Sequence, residues 1–371
     1  MRLFWIIHNN TCNTGRVIVE GLKKSRPELK HLSSREDIIW LREPSEDLIT
    51  RWGDKKIGHF PDSNSFIPEL ASPNFWQELE NIDKSDIIVV TVNSGPNHNI
   101  YQALDIINKK DLYNQVVILD EDESCKKWHS QFTVLYDRAK LILTGLGDHV
   151  HLRLRNKREN VHFFGFCGME DRYFPKEYKK KDIDVYFKSR VEGWLTPRVP
   201  FRDKLLDVEK KGVFNKMCIM PSFNEDEGNS FLKIISGDRY HPDYYNYLNR
   251  SKIAIYLNGF NPIGYQFWES CANKCMVLHQ TPWASQYYNG GDSNPRQFHW
   301  EHYDPPFIPG EDFYYFETPE DLEDLLMKLS SNPDLISRAA EKCYNKALNF
   351  TSERQAHKFI GHINKTFGYS L

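Results

Sequence analysis

Ser251-Lys-Ile-Ala-Ile-Tyr-Leu257 is a short, largely apolar run, and Met276-Val-Leu278 is another, with room for one helix between them. Runs of this kind form strands buried on both faces of a parallel sheet, which have no solvent face to keep polar. Asn258 to Gly264 holds the Asn, Gly and Pro residues that end the first strand, and the spacing predicts a helix beginning near Pro262 to Tyr265. A helix start leaves N–H groups unpaired and carries positive partial charge, so Gly264 and Tyr265 stand where a diphosphate could be held. Glu269 falls about one turn further in, where a carboxylate can accept both hydroxyls of a ribose. Ser270, Cys271 and Ala272 are small enough for the helix to lie close on a sheet. A helix-borne Glu is ordinarily solvent-facing or paired, so the context carries this expectation rather than the residue.

The first half of the chain alternates in the same way. Strand signals at Leu3–His8, Ile38–Leu41, Asp86–Val92 and Gln115–Leu119 are separated by helical signals at Gly15–Lys24, Asn74–Ile82 and Ile100–Lys109, and Leu135–Leu143 and Val161–Phe166 continue the pattern. Alternation of this kind implies a parallel sheet with helices on both faces, in which ligands collect beyond the carboxyl ends of the strands. The polar insertion Glu43–Ser72 reads as a loop excursion. Phe174-Pro-Lys-Glu-Tyr-Lys-Lys-Lys-Lys-Asp182 breaks the pattern with a Pro and a run of charge, and the interdomain linker is placed there. Asp184–Phe187 then opens a second α/β unit, followed by a helix over Phe201–Lys211 and a strand over Asn215–Met220. The expected domains are 1–178 and 179–350, with a terminal helix over 351–371.

At 371 residues, two domains with separate cores are expected. The 40% hydrophobic and 27% charged content is that of a globular protein. No apolar run approaches bilayer length and the chain opens on a strand-like segment, so a cytoplasmic location is expected, with peripheral membrane contact left open. Seven scattered cysteines without C-x-x-C spacing fit reduced thiols. A net charge of −3 argues against a general polyanion binder, including nucleic acid. The many Trp and Tyr rings could stack on sugars or simply fill cores.

The segment Ser251–His279 resembles the C-terminal domain of GT-B glycosyltransferases, particularly the spore-maturation-type family and its relatives with an E-x7-E motif. The second Glu of that motif matches Glu269; the first falls on Asn261, where those enzymes place a carboxylate near the donor sugar. The resemblance extends to Tyr240–Arg250, Phe316–Leu325 and Phe350–His357. It implies a GT-B fold, with two Rossmann-like domains facing each other across a cleft, the donor on the C-terminal domain, and a terminal helix that crosses back to the N-terminal one. It also implies a sugar transfer from a nucleotide-sugar donor, with a UDP-sugar as first candidate, to a glycan, polysaccharide or small metabolite.

Glycosyl transfer requires a grip on the departing nucleoside diphosphate and a way to remove the acceptor proton. After Phe187 come Lys188, Arg190 and Arg198, and related enzymes use basic residues on this loop against the leaving phosphates; Arg can engage phosphate bidentately. Arg239 and Tyr240 sit where the family holds the base. On the acceptor side, Asp120 and Asp122 follow a strand directly, which makes them candidates for a general base, although an acid-rich helix start explains them as well. Asp120-Glu-Asp122 also matches D-x-D, as does Asp182-Ile-Asp184, but with the diphosphate already provided for, no metal or other cofactor is expected. His8 ends the first strand, in the position where GT-B enzymes bring a loop up to the donor–acceptor junction. His98 and His129 are further candidates. Three rivals remain at this level: a sugar-nucleotide epimerase or hydrolase of the same fold, a phage-type DNA glucosyltransferase, and a catalytically silent nucleotide- or carbohydrate-binding subunit.

Overall fold

The computed structural model describes residues 1–7, 13–34, 74–92, 98–120, 133–145, 158–165, 168–189, 198–219, 244–257, 264–281 and 300–370. They form two compact units. One contains the described residues up to Glu170 together with Phe350 onward, and the other runs from Asp171 to Asn349.

The first unit is a six-stranded sheet in the order β2-β1-β3-β4-β5-β6, parallel throughout. The strands are β1 (Arg2–Ile7), β2 (Lys30–Ser33), β3 (Ile87–Val92), β4 (Val116–Asp120), β5 (Leu141–Thr144) and β6 (Val161–Phe163). Alternate residues feed two separate cores. Leu3, Trp5, Val89, Val117 and Leu143 pack with Ile18 and Leu22 of α1 (Asn13–Ser25) and with Phe359 and Ile363 of the terminal helix. Phe4, Ile6, Val90, Ile118 and Ile142 pack against α2 (Phe75–Glu80), α3 (His98–Lys110) and α4 (Thr133–Arg138). A strand that feeds both cores must be apolar almost throughout, which is why β3 is apolar except for Thr91, whose hydroxyl donates to Ile6 O at 3.3 Å.

The second strand has no counterpart in the sequence expectation. It is Lys30-His-Leu-Ser33, an edge strand paired only with β1, and Ile38–Leu41 lies outside the described residues. An edge strand is covered on one side, so it needs no apolar run to declare it.

The second unit holds a parallel sheet of five strands in the order β8-β7-β9-β10-β11. These are β7 (Ile183–Phe187), β8 (Met217–Ile219), β9 (Ser251–Tyr256), β10 (Met276–Gln280) and β11 (Tyr314–Phe316), with α5 (Val199–Lys210), α6 (Tyr244–Arg250), α7 (Tyr265–Ala272), α8 (Pro319–Ser330) and α9 (Pro333–Ala347). Val185, Phe187, Ile253, Ile255 and Leu278 share a core with residues of α5, α8 and α9. Tyr186 and Ala254 face the other way, against Tyr244 and Leu248 of α6. Helix α9 has no counterpart in the sequence reading, although Ile336, Ala339, Ala340, Cys343 and Ala347 recur on one buried face.

The units divide between Glu170 and Asp171, and again between Asn349 and Phe350. The charged segment read as a linker is hydrogen-bonded into the second unit instead. The Tyr178 hydroxyl donates to Ala272 O at 3.1 Å, Lys179 N to Asn249 Oδ1 at 3.3 Å and Lys181 Nζ to Asn273 O at 2.6 Å. The terminal helix α10 (Ser352–Phe367) belongs to the first unit, where Met169 N donates to Phe350 O at 2.8 Å and Ser352 N to Met169 O at 3.1 Å.

Two histidines make the first unit acid-sensitive. His31 Nδ1 accepts from Trp5 Nε1 at 3.2 Å, and burial, helped by the Lys23 charge, holds its pKa down to about 4. His362 of α10 lies with its ring centroid 5.0 Å from that of His162; burial first, then His162, Lys358 and Lys365, hold it to about 4. Both are neutral when folded and take up protons near pH 6.5 when unfolded. The unfolded chain therefore binds more protons as pH falls from about 6.5 to about 4, and stability is lost across that window. Melting followed by circular dichroism should drop by a few degrees between pH 7 and pH 4.5. A flat profile would mean that the two rings protonate without cost.

Candidate functional site

In the second unit β7 is flanked by β8 on one side and β9 on the other, so the chain reverses its direction of travel across the sheet at the β7–β9 boundary. Helices on either side of such a boundary diverge and leave a crevice at the carboxyl ends of the two strands, the place where open α/β sheets take ligands. Here those ends are Phe187 and Tyr256, and the residues that follow are Lys188, Ser189 and Leu257.

Arg198, just ahead of α5, spans the boundary. Its Nη1 donates to Ser189 Oγ at 2.9 Å and its Nη2 to Leu257 O at 3.3 Å, joining the loop after β7 to the end of β9. Gln266 of α7 reaches the same place, with Nε2 3.3 Å from Lys188 O and 3.4 Å from Ile255 O. Gly264 caps α7, and its N–H donates to the Tyr256 hydroxyl at 2.7 Å. A Cβ on Gly264 would lie 2.7 Å from that same oxygen, so the close approach favours a glycine. Tyr265 is buried as the first residue of α7.

Glu269 is 5% exposed and among the described residues has no ion-pair partner. Two hydroxyls hold it. Tyr244 Oη donates to Oε2 at 2.5 Å and Tyr245 Oη to Oε1 at 2.9 Å. Lys188 Nζ stands 4.6 Å from the centroid of the Tyr244 ring. Burial, and then the Glu269 charge, push the Tyr244 hydroxyl well above the ordinary range, so it stays protonated and donating. Tyr186 closes the back of this group, its centroid 5.9 Å from that of Tyr244; its buried hydroxyl finds no hydrogen-bond partner among the described residues and is likewise raised, first by burial. A buried carboxylate without a cation is costly unless its lone pairs are met by hydrogen bonds, and such groups concentrate at binding sites.

Of the residues singled out in the sequence, the structure brings Lys188, Arg198, Gly264, Tyr265 and Glu269 to this boundary. Arg190, Arg239, Tyr240 and Asn261 lie outside the described residues. In the first unit Asp120 is the buried last residue of β4, while His8 and Asp122 lie outside the described residues. Asp182-Ile-Asp184 is committed to ion pairs. Asp182 meets Arg250 and Lys216, whose hydrogen bonds hold its carboxyl far below the usual range, and Asp184 meets Lys252 at 2.6 Å. Among the described residues no group of three His, Cys, Asp or Glu is placed to hold a metal. Cys271 and Cys275 point to different partners: Cys271 Sγ lies 3.2 Å from Cys343 Sγ, and Cys275 Sγ lies 3.2 Å from Leu248 O. The aromatic wealth of this unit is largely core, since Phe267, Trp268, Trp300, Tyr303, Phe307 and Phe313 are all buried. Tyr244, Tyr245, Tyr256, Ser189 and Gln266 had no role in the sequence reading; the Tyr244-Tyr245 pair on a helix before β9 was its one visible sign.

The architecture is that of the GT-B fold. HepE from Anabaena, solved with UDP and glucose, superposes with a TM-score of 0.57 at 9% identity, over 98% of this chain and 100% of that one. A glycosyltransferase from Rickettsia africae gives 0.56 at 13% identity, over 100% and 99%. A provisionally assigned UDP-N-acetylglucosamine 2-epimerase from Listeria monocytogenes gives 0.55 at 10%, over 100% and 97%. Residues 224–361 match a family model described as glycosyl transferase-like. No curated protein matches the chain. The chain is thus a GT-B-fold protein with a glycosyl-transferase-like match over residues 224–361. Among the described residues no helix is long and apolar enough to cross a membrane.

Proposed function

We propose that the chain is a glycosyltransferase that takes a sugar from a nucleotide donor bound at the β7–β9 boundary and gives it to a glycan, polysaccharide or small metabolite, without a metal. More narrowly, we place it with the spore-maturation-type and E-x7-E enzymes, with a UDP-sugar as the first donor to try. The observation that carries the reading is Glu269: a buried carboxylate with no ion-pair partner among the described residues, at a topological switch point, under a match to a glycosyl-transferase-like family. In this reading Glu269 takes the ribose, and Lys188, Arg190 and Arg198 face the phosphates near the capped start of α7. Asp120, Asp122 and His8 are the candidates for taking the acceptor's proton.

A thermal-shift screen of UDP-, GDP-, CMP-, ADP- and dTDP-linked sugars tests it. A ligand at a hundred times its Kd adds about 2.7 kcal/mol, so a true donor raises the melting temperature, and no response to any of the five sinks the reading. Nucleotide release that needs an acceptor marks a transferase; release with none points to a hydrolase of the same fold.

Turnover is expected to survive EDTA, because helix-terminal amides and Arg side chains can serve a diphosphate without a metal. Full loss, restored by manganese or magnesium, would move the diphosphate to Asp120-Glu-Asp122. Arg198→Ala should weaken UDP by about tenfold and uridine by much less, since guanidinium charge complements phosphate rather than base. Equal weakening of both in calorimetry would mean that Arg198 acts only by tying Ser189 to Leu257.

A further inference from the structure

Glu269 is held by consecutive residues of one helix. Adjacent helical positions point in different directions, so Tyr244 and Tyr245 approach the carboxylate from two sides, their rings 5.0 Å apart at 75°. Each gives its hydroxyl to a different oxygen, Oε2 and Oε1. A carboxylate has about four lone-pair positions, two on each oxygen. The tyrosines therefore fix the rotamer of Glu269 and leave one position on each oxygen unfilled by them. What matches that remainder is a pair of neighbouring hydroxyls, each donating once.

From this geometry, and resting on the reading of Glu269 as the ribose ligand, we infer that Tyr244 and Tyr245 are positioning residues that preset Glu269 for a vicinal diol. They make the site selective for ribonucleoside diphosphates over 2′-deoxyribonucleoside diphosphates. The physical basis is burial. Glu269 is 5% exposed, so when a deoxyribose leaves one position unfilled, bulk water has little access to replace the missing hydroxyl. Tyr244 is itself buried and backed by Tyr186, while Tyr245 is only partly covered. Lys188 Nζ stands over the Tyr244 ring, 4.6 Å from its centroid, and so packs against one of the two tyrosines.

Calorimetric titration of the full chain with UDP and 2′-deoxy-UDP, and with GDP and 2′-deoxy-GDP as a second pair, tests the inference. The unsubstituted protein should prefer the ribo form by about 10- to 100-fold, the worth of one hydrogen bond to a charged group. Y245F should weaken the ribo form by about tenfold, weaken the deoxy form far less, and so narrow the preference by about tenfold. Y244F should do the same, and if its buried site does not tolerate the change, Y245F decides. A general loosening of the fold would weaken both forms equally and leave the ratio intact. If E269Q leaves affinity and preference unchanged, Glu269 is not the ribose ligand and the inference falls with that reading. If E269Q abolishes the preference while Y245F and Y244F keep it in full, the tyrosines only pack, and the inference falls alone. No preference in the unsubstituted protein overturns it outright.

Discussion

Glu269→Gln is expected to weaken UDP by about 10- to 100-fold while the chain stays folded, because a hydrogen bond to a charged group is worth about 1.5–3 kcal/mol and each 1.4 kcal/mol is tenfold. The amide keeps the size of the carboxylate but turns one acceptor into a donor. One of the tyrosine hydroxyls then faces an NH2 group, and one ribose hydroxyl loses its acceptor. The two losses fall on different observables. The tyrosine mismatch lowers the melting temperature of the free protein, because Tyr244 is buried and its hydroxyl needs an acceptor. The ribose mismatch lowers affinity. Calorimetry on the folded variant separates them: a lowered melting temperature with unchanged UDP affinity would make Glu269 a structural carboxylate and move the nucleoside elsewhere.

Gly21→Ala is expected to destabilise the first unit by about 1–3 kcal/mol or more, against the usual preference of helices for Ala. Gly21 lies on α1 where α10 crosses it. An added Cβ would stand 1.9 Å from Ser352 O, 2.3 Å from Ser352 C and 2.8 Å from Ala356 Cβ. The first two are backbone atoms of the start of α10, which cannot rotate away as a side chain would. Gly361, within α10 itself, is the control: an added Cβ there meets nothing within 4 Å, and Gly361→Ala should stabilise by about 0.5–1 kcal/mol. Opposite signs in urea unfolding are the expected result. If Gly21→Ala proves neutral, α1 and α10 do not meet backbone to backbone at this point.

The α/β class was legible because burial on both faces writes itself locally. β3, β4 and β9 are largely apolar runs whose neighbours supply helices, and no knowledge of distant residues is needed to read them. The start of α7 and the place of Glu269 were legible for the same reason, since a turn followed by a helical period is a local signal. β2 was not, because an edge strand of Lys, His, Leu and Ser gains its identity from β1 alone.

What surrounds Glu269 left only the Tyr244-Tyr245 pair as a sign in the sequence, and its arrangement lay beyond it. Tyr244 and Tyr245 reach it only because α6 and α7 are brought to the same region of the β7–β9 sheet, and Arg198 meets Leu257 O only because β7 and β9 are neighbours. Gly21 shows the same limit from the side of packing. Within α1 it reads as a weak point for helix stability, and what makes it necessary is the backbone of Ser352 near the other end of the chain. Periodicity and turn chemistry act between residues a few positions apart, so the sequence by itself determined the elements and their alternation. Hydrogen-bond partners and backbone contacts act across space between residues distant in the chain, so only the tertiary structure decided how Glu269 is held, what Arg198 ties together, and why α1 carries a glycine.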